Sequence, residues 1–271
     1  VDVAGGHGKL FVTGEVTSKA VNVDIAAIVK RLTGGIELIE NIARQSHEIP
    51  QGVDIGGAGD QGVMVGSATS ETPELLPLEV VLSRRLNQAL YAQWPFDGKT
   101  QITLKDGEIV AVVASFQNAP QKELQVAVTK WLETDELAHS IDDVKLHINP
   151  AGYWQIGGFE ADAGLTGRKL VVDNYGPSVP IGGGCFSGKD PSKVDRSAAY
   201  IARKIAVDYL KKRNAKEVFC HLAYAIGYNQ PLEATVKVDG VQETVTGYDL
   251  SPNGIIEFLQ LRKPQYEQTA R

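Results

Sequence analysis

The sequence predicts an α+β protein with mixed, mainly antiparallel sheets, and three observations support that fold class. Segments of alternating apolar residues and segments with helical spacing follow one another without strict strand–helix–strand alternation. Pairs of alternating segments are joined by short glycine-containing turns, which is typical of hairpins. The 271 residues are 43% hydrophobic, and glycine-rich breaks lie near residues 50–56 and 150–158. We therefore predict domains at residues 1–50, 51–152 and 153–271.

The elements of the first half follow from periodicity. Residues 1–21 alternate apolar side chains around the turn GGHG and predict a hairpin, and a second hairpin, TQITLKDGEIVAVVASFQ, turns at Asp106 and Gly107. A short strand is predicted for VKLHIN. Helical spacing appears in the segments NVDIAAIVKRL, PLEVVLSRRLNQALYAQW and ELQVAVTKWLETDEL.

The second half gives one dominant helix and several strands. The segment DRSAAYIARKIAVDYLKKR has a continuous apolar face, and basic residues crowd its end, as suits the C-terminus of a helix. Strands are predicted for KLVVDNY (169–175), FCHLAYAIGY and EATVKVDG. The segment IIEFLQLRKPQY predicts a short helix that Pro264 stops.

Composition excludes some function classes. The net charge of −6 argues against general nucleic-acid binding, because affinity for phosphate backbones depends on an excess of lysine and arginine. The two cysteines form neither a disulfide framework nor a metal-binding spacing, which fits a reducing compartment. No apolar run is long enough to span a membrane and no signal peptide is visible, so we expect a cytoplasmic protein without membrane contacts.

The segment GGGCFSGKDPSK, residues 182–193, nearly matches a phosphate-binding P-loop. From Gly183 the spacing is G-x-x-x-x-G-K, but Asp190 stands where a P-loop needs the Ser or Thr that binds magnesium. The segment is therefore not a P-loop. Its lysines, flexible backbone and interleaved carboxylates still suit a polyphosphate with magnesium.

Three further glycine-rich turns carry polar side chains. Each of these turns taken alone is more often a plain turn, because Asp and Gly tolerate the dihedral angles that turns require. They contain Asp60 and Gln61; Asp97 and Lys99; and Asp162, Arg168 and Lys169.

The order of these blocks resembles one family. The segments GAGDQG, ETPE, DGKTQ, GLTGRK and GGGCFSGKDPSKVDRSAAY are similar to the signature blocks of S-adenosylmethionine synthetases (methionine adenosyltransferases), and the resemblance runs from GEVTSKA to IIEFLQLRKPQYEQTA. It implies a fold of three related α/β-sandwich domains. It also implies a homodimer, or a tetramer, with active sites at the interface between subunits.

The resemblance also implies a reaction with its cofactors. ATP and L-methionine would give S-adenosylmethionine, and the displaced triphosphate would then be split into pyrophosphate and phosphate. Two Mg²⁺ ions per site and K⁺ are expected, with Asp195 as a magnesium ligand. Asp2 matches a potassium ligand by its spacing from Glu15 alone. The catalytic, triphosphate-binding positions are Lys99, Arg168, Lys169 and Lys189.

The same resemblance assigns the substrate contacts. The methionine-binding positions are Glu15, Gln45, Asp162 and Lys193. The ATP-binding positions are Asp97, Lys99, Tyr153, Trp154, Asp162, Arg168, Lys169, Cys185 and Lys189.

The sequence departs from the family pattern in several places. It lacks the family's opening G-H-P-D-K block, with its histidine and magnesium-binding aspartate, and the closing G-H-F-G-R block. We expect these ends to lie beyond the residues given. His7 in GGHGK lies too close to Glu15 to replace that histidine, so we interpret it as a turn residue. QSHEI replaces the more usual QSPDI, and Ile181 replaces a polar residue.

Two other functions stay open. One is a non-catalytic regulatory subunit that keeps the fold and binds a true synthetase, although the retained lysines argue against the loss of phosphate ligands. The other is a generic ATP-binding phosphotransferase, which suits the near-P-loop but leaves Glu15 and the other blocks unexplained.

Overall fold

The computed structural model describes residues 1–18, 20, 22–44, 56–138, 143–263 and 265–266. Within them the chain forms two compact units: unit 1 comprises Val1–Ala4, Lys9–Leu76 and Leu165–Arg271, and unit 2 comprises Gly5–Gly8 and Pro77–Gly164. The helices are α1 Ile25–Thr33, α2 Leu78–Tyr91, α3 Gln121–Thr134, α4 Leu170–Asp173, α5 Val194–Arg213 and α6 Pro252–Phe258. The strands are β1 Asp2–Gly6, β2 Lys9–Val16, β3 Glu37–Arg44, β4 Gly62–Thr69, β5 Gly98–Lys105, β6 Glu108–Phe116, β7 Lys145–Ile148, β8 Gly164–Leu165, β9 Glu217–Tyr224, β10 Glu233–Val238 and β11 Val241–Thr244.

The described strands form three sheets, which confirms the predicted α+β class. The first has the order β3-β2-β1-β8, the second β11-β10-β9-β4 and the third β5-β6-β7. The second sheet is antiparallel throughout, with Met64 of β4 opposite Leu222 of β9. The first and third sheets each contain a parallel pair, β2 with β3 and β6 with β7. The sheets are therefore mixed but mainly antiparallel.

The main core of unit 1 lies between helix α5 and the second sheet. The buried face of α5 is rich in small residues, and the sheet supplies larger ones such as Met64 and Leu222. Arg203 of α5 donates hydrogen bonds to the backbone carbonyls of Ser67, Glu74 and Leu75, so it ties the helix to β4 and to the segment that follows it. Burial lowers the pKa of Arg203, but donation to three carbonyl groups satisfies the guanidinium there.

Unit 2 has its own core, in which α2 and α3 pack on the β5-β6-β7 sheet. Its fully buried side chains are large, and Leu86, Leu124 and Phe116 are among them. Buried Asn149 joins strand and loop backbone, because its side chain accepts from the Phe116 nitrogen and donates to the carbonyls of Phe116 and Ala119.

Several predicted elements are confirmed at residue level. The Asp106-Gly107 turn joins β5 to β6, and both residues have positive φ, as a tight hairpin turn requires. His7 also has positive φ and lies in the turn between β1 and β2, so its interpretation as a turn residue is confirmed. Helix α1 begins where Asp24 accepts a hydrogen bond from Ala27 and ends at Gly34 in the left-handed conformation.

Other predictions were wrong. KLVVDNY is not a strand: residues Leu170–Asp173 form one helical turn, which Asn174 closes by donating its side-chain amide to the Leu170 carbonyl. The helix predicted to run to Pro264 starts at Pro252, capped by Ser251, and already ends at Phe258. The strands β3, β4, β8 and β11 were not predicted.

The predicted domain borders at residues 50 and 152 remain predictions. The first of them falls in residues 45–55, outside the described part of the chain. Among the described residues, none of the helices combines the length and the apolar composition needed to cross a bilayer.

Candidate functional site

The segment Gly182–Lys193, here called the phosphate loop, wraps around one buried carboxylate. Asp195 is 5% exposed, and its Oδ1 accepts a hydrogen bond of 3.0 Å from the Gly184 nitrogen. Its Oδ2 lies 2.7 Å from Nζ of Lys189 and forms an ion pair with it. The loop therefore places an ammonium group and a backbone N–H on the two oxygens of the same carboxylate.

The consecutive glycines have a steric reason. A Cβ on Gly184 would lie 2.8 Å from Lys189 Nζ, and a Cβ on Gly182 would collide with the β4 backbone at Val63 and Val65. The loop backbone can approach strand β4 on one side and the Lys189–Asp195 pair on the other only because these side chains are absent.

Helix α5 begins at this carboxylate. Lys193 is the residue before its first turn, and its carbonyl accepts from the Ser197 nitrogen. Asp195 lies in the first turn, where the partial positive charge of the helix N-terminus favours a carboxylate. The helix N-terminus and the Lys189 ammonium group thus both lie next to the Asp195 carboxylate.

The GLTGRK block lies against the same loop. Thr166 pairs with Val3 of β1 through backbone and side-chain hydrogen bonds, and a Cβ on Gly167 would lie 2.8 Å from the sulfur of Cys185. Arg168 and Lys169, which follow Gly167, are both exposed. In unit 1 the structure therefore brings the GLTGRK block next to the phosphate loop.

The remaining candidates of unit 1 are less constrained. Glu15 is an exposed residue of β2, and Asp2 is an exposed residue of β1. Lys193 is half-buried. Gln45 lies outside the described residues, so its predicted role stays a prediction.

Unit 2 gathers a second set of candidates around the glycine pair Gly157–Gly158. The side chain of Asp97 accepts a hydrogen bond of 3.0 Å from the Gly158 nitrogen, and the Asp162 nitrogen donates to the Gly158 carbonyl. The Trp154 carbonyl accepts from the Asn118 nitrogen. Asp97 and Asp162 are thus linked through Gly158, and Trp154 is tied to Asn118.

Two more candidates in unit 2 present their side chains to solvent. Lys99 is an exposed residue near the start of β5, two positions after Asp97. Tyr153 is 55% exposed and precedes the half-buried Trp154. Of these two neighbouring aromatic residues, Tyr153 is therefore the more exposed.

Sequence reasoning missed two residues of unit 1 that contact the phosphate loop. Arg196 donates a 2.7 Å hydrogen bond to the Lys189 carbonyl, and Tyr200 packs against Phe186. Arg196 also lies over the ring of Tyr266. Burial raises the pKa of Tyr266, and nearby Arg196 partly offsets that shift, so the phenol stays neutral at physiological pH.

A preformed metal cage is absent from the part of the chain that the structure describes. No three His, Cys, Asp or Glu side chains converge there. A divalent ion at Asp195 would therefore need ligand oxygens from a substrate or from water.

Comparisons with known proteins agree with these features. Residues 55–154 match the profile of the S-adenosylmethionine synthetase central domain, and residues 156–271 match that of its C-terminal domain. The S-adenosylmethionine synthase of Helicobacter hepaticus is 42% identical over 264 aligned residues, which cover 86% of this chain and 68% of the relative. The S-adenosylmethionine synthase 1 of Frankia casuarinae is 38% identical, covering 97% of this chain and 81% of the relative.

A solved structure supports the same assignment. The S-adenosylmethionine synthetase from Campylobacter jejuni, described as unusual, superimposes with a TM-score of 0.83 at 28% identity. The match covers 99% of this chain and 83% of that one. The resemblance drawn from the sequence is therefore confirmed: the chain belongs to the S-adenosylmethionine synthetase family, a family of methionine adenosyltransferases.

Proposed function

We propose that the protein makes S-adenosylmethionine from ATP and L-methionine, by attack of the methionine sulfur on the 5′ carbon of ATP. The leaving triphosphate is then hydrolysed to pyrophosphate and phosphate. The observation that carries this proposal is the Lys189–Asp195 pair, held by a glycine loop at the start of helix α5.

The chemistry explains why lysine and arginine dominate the candidate residues. A thioether has no proton to lose, so its attack needs no general base. The bond to the triphosphate breaks as negative charge develops on the leaving oxygens, and preorganised cations lower the barrier by stabilising that charge. We assign this role to Lys99, Arg168, Lys169 and Lys189, which family membership supports.

The rest of the nucleotide needs shape and polar contacts. Asp97 is a suitable acceptor for ribose hydroxyl groups, since its carboxylate is exposed and held by the Gly158 nitrogen. Tyr153 and Trp154 offer aromatic faces to the adenine. Cys185 lines the nucleotide site in this proposal. Methionine would be held by Glu15, Gln45, Asp162 and Lys193, with the Glu15 carboxylate taking its ammonium group.

Asp195 would supply one ligand oxygen to magnesium. Mg²⁺ is commonly held by one or two carboxylates plus substrate phosphate oxygens, and the Lys189 ammonium group, which is paired with Oδ2 of buried Asp195 in this structure, would have to move towards the triphosphate to free that oxygen. When bound, the ion would supply positive charge to the triphosphate oxygens. Two such ions per site are part of the proposal.

Potassium at Asp2, a homodimer or tetramer with active sites at the subunit interface, and a cytoplasmic location complete the proposal. They are supported by family resemblance and, for potassium, by the spacing of Asp2 from Glu15. No contact with nucleic acid or membrane is included, in line with the net charge of −6.

The test uses the full-length protein with ATP, L-methionine, Mg²⁺ and K⁺. S-adenosylmethionine is followed by mass spectrometry, and pyrophosphate and phosphate are measured in the same samples. We expect a methionine-dependent product with equal release of both phosphates. Transfer of the γ-phosphate to an acceptor would favour a phosphotransferase, and ATP binding without any product would favour a regulatory subunit.

A pair of lysine variants tests the role of the phosphate loop. We expect Lys189→Ala to lower kcat by about 100-fold or more, because one charge that stabilises the transition state is lost. Lys212→Ala, in the exposed last turn of the same helix, is the matched control and should keep wild-type turnover. Wild-type turnover by Lys189→Ala would refute the assignment of this loop.

A further inference from the structure

We propose that Arg196 is a positioning residue, which holds the turn Phe186–Lys189 and so fixes the Lys189 ammonium group for the triphosphate. This inference rests on the proposed function. It adds a residue that works through the backbone of the phosphate loop and not through contact with the substrate.

The turn itself is tight. The Lys189 nitrogen donates to the Phe186 carbonyl, and Gly188 between them has a φ of 83°. Positive φ at the third residue of a four-residue turn strongly favours glycine. The turn therefore has a defined shape, but its own single backbone hydrogen bond of 3.3 Å holds it only weakly.

Helix α5 secures both ends of the turn. At the last residue, Nη1 of Arg196 donates a hydrogen bond of 2.7 Å to the Lys189 carbonyl. At the first residue, the ring of Phe186 packs at 5.7 Å against the ring of Tyr200. Arg196 and Tyr200 lie one helical turn apart and are linked to each other, because Nε of Arg196 donates to the Tyr200 hydroxyl at 3.0 Å.

The guanidinium of Arg196 is fixed from another direction as well. Its central carbon lies 4.1 Å from the centre of the Tyr266 ring, within the range of a cation–π interaction. The Tyr266 hydroxyl in turn donates to the Leu261 carbonyl, which orients the ring. A planar guanidinium stacked on a ring while it donates to a carbonyl has little freedom to rotate.

Lys189 is consequently held twice by adjacent residues of one helical turn. Asp195 contacts its side-chain Nζ at 2.7 Å, and Arg196 contacts its backbone carbonyl at the same distance. The Arg196 guanidinium donates to the Lys189 carbonyl and to the Tyr200 hydroxyl. It therefore acts by fixing the position of the Lys189 backbone, from which the side chain extends. A displacement of about 1 Å in a reacting group is enough to cost about 100-fold in rate.

The test compares Arg196→Lys and Arg196→Met with Arg213→Met in the full-length protein. Arg213 ends the same helix and forms an exposed ion pair with Glu243, so its variant controls for the loss of an arginine from α5. Tripolyphosphate is the binding probe, measured by isothermal titration calorimetry. Turnover is measured at saturating ATP and methionine, at a temperature where thermal unfolding shows every variant to be folded.

We expect both Arg196 variants to bind tripolyphosphate about tenfold more weakly, the effect of losing one well-placed charged contact. We expect kcat to fall by about 10- to 100-fold with the KM for methionine unchanged. Arg196→Lys should not restore affinity or kcat, because a single ammonium group cannot donate to both the Lys189 carbonyl and the Tyr200 hydroxyl and also stack on Tyr266. Arg213→Met should behave as wild type. Wild-type affinity and kcat in Arg196→Lys would overturn the proposal.

A double-variant cycle separates positioning from a purely structural role. If Arg196 acts through Lys189, adding Arg196→Met to Lys189→Ala should cause no further loss of tripolyphosphate affinity. Additive losses would overturn the proposal, because they would mean that Arg196 acts independently of Lys189. The outcome is distinct from failure of the proposed function, in which the wild-type protein itself would neither bind tripolyphosphate nor form product.

Variants of Tyr266 provide a second test of the proposal that leaves Arg196 unchanged. Tyr266→Phe keeps the aromatic face and should retain wild-type kcat to within about twofold, whereas Tyr266→Leu removes the cation–π contact and should lower kcat by about fivefold. The interaction is worth about 1 kcal/mol, which corresponds to such a fold-change. Equal turnover by Tyr266→Leu and Tyr266→Phe would overturn the role given to the stacked ring.

Discussion

The two units pack a helix on a sheet in different ways. In unit 1, helix α5 contacts the sheet through small residues, and it comes so close to β4 that a Cβ on Gly66 would overlap the backbone of Ala202. In unit 2, α2 and α3 rest on the β5-β6-β7 sheet through large side chains such as Leu86 and Phe116. The first core therefore includes a point where two backbones meet, whereas the second is described by contacts between large side chains.

The difference corresponds to what each helix carries. Helix α5 places Asp195 against the phosphate loop, which itself approaches β4 at Gly182. The contact of Gly66 with Ala202 leaves no rotamers to readjust, so it fixes the distance between the middle of helix α5 and β4. Side-chain cores tolerate volume-conserving changes at small cost. The close core is the one on which the proposed chemistry depends.

The largest effect is expected at the close contact. We expect Gly66→Ala to lower the free energy of unfolding by at least about 3 kcal/mol, because the new methyl group meets backbone atoms that cannot rotate away. Gly6→Ala, where the nearest atom would lie at an ordinary 3.8 Å, is the matched control in another strand. Urea denaturation measures both, and wild-type stability of Gly66→Ala would mean that the two backbones can separate freely.

A smaller loss is expected in the side-chain core. Leu86 is fully buried, so Leu86→Ala should cost about 2–5 kcal/mol, and Leu86→Met less than about 1.5 kcal/mol. The turnover of the folded fraction should stay unchanged in both variants, measured after correction for unfolded protein. Reduced turnover in a fully folded Leu86→Met would remove the contrast between the two cores.

The smallest expected effect is a difference in thiol reactivity between the two cysteines. Cys220 of β9 pairs with Gly66 of the adjacent strand β4 and is fully buried, and burial raises its pKa to about 12. The thiol is therefore protonated far above physiological pH, and only the thiolate reacts with disulfide reagents. At about pH 8 we expect native protein to react once, at half-buried Cys185, and Cys220 to react only after denaturation.

Cys185→Ser supplies the control for that labelling. It should abolish the reaction of the native protein and leave one thiol reactive in denaturant. Reaction of Cys220 in the native protein would show that the close core opens without global unfolding.

Elements that depend on local sequence could be predicted. The Asp106-Gly107 hairpin and helix α5 depend on turn dihedrals and on a repeating apolar face, and both formed as predicted. The KLVVDNY segment shows the limit of that reasoning. Its paired valines favour a strand, but side-chain and backbone hydrogen bonds from Asn174 to Leu170 close a helical turn.

The pairing of strands that are distant in sequence could not be predicted. The segment Gly62–Thr69 contains two glycines and no strict alternation, and it becomes a strand because β9 pairs with it. The candidate site also contains residues that could be predicted from the sequence and contacts that could not. Motif residues such as Lys189 and Asp195 were named from the sequence, but the contact of Arg196 with Tyr266 joins segments that no local pattern relates.

The pairing of β4 with β9 also sets a constraint on biosynthesis. Met64 leaves the ribosome long before its partner Leu222, and at about 5–20 residues per second β4 waits roughly 10–30 seconds for β9. During that interval an apolar strand and its hydrogen-bonding edge have no native partner. The nascent chain therefore passes through a period in which this strand edge is open to non-native pairing.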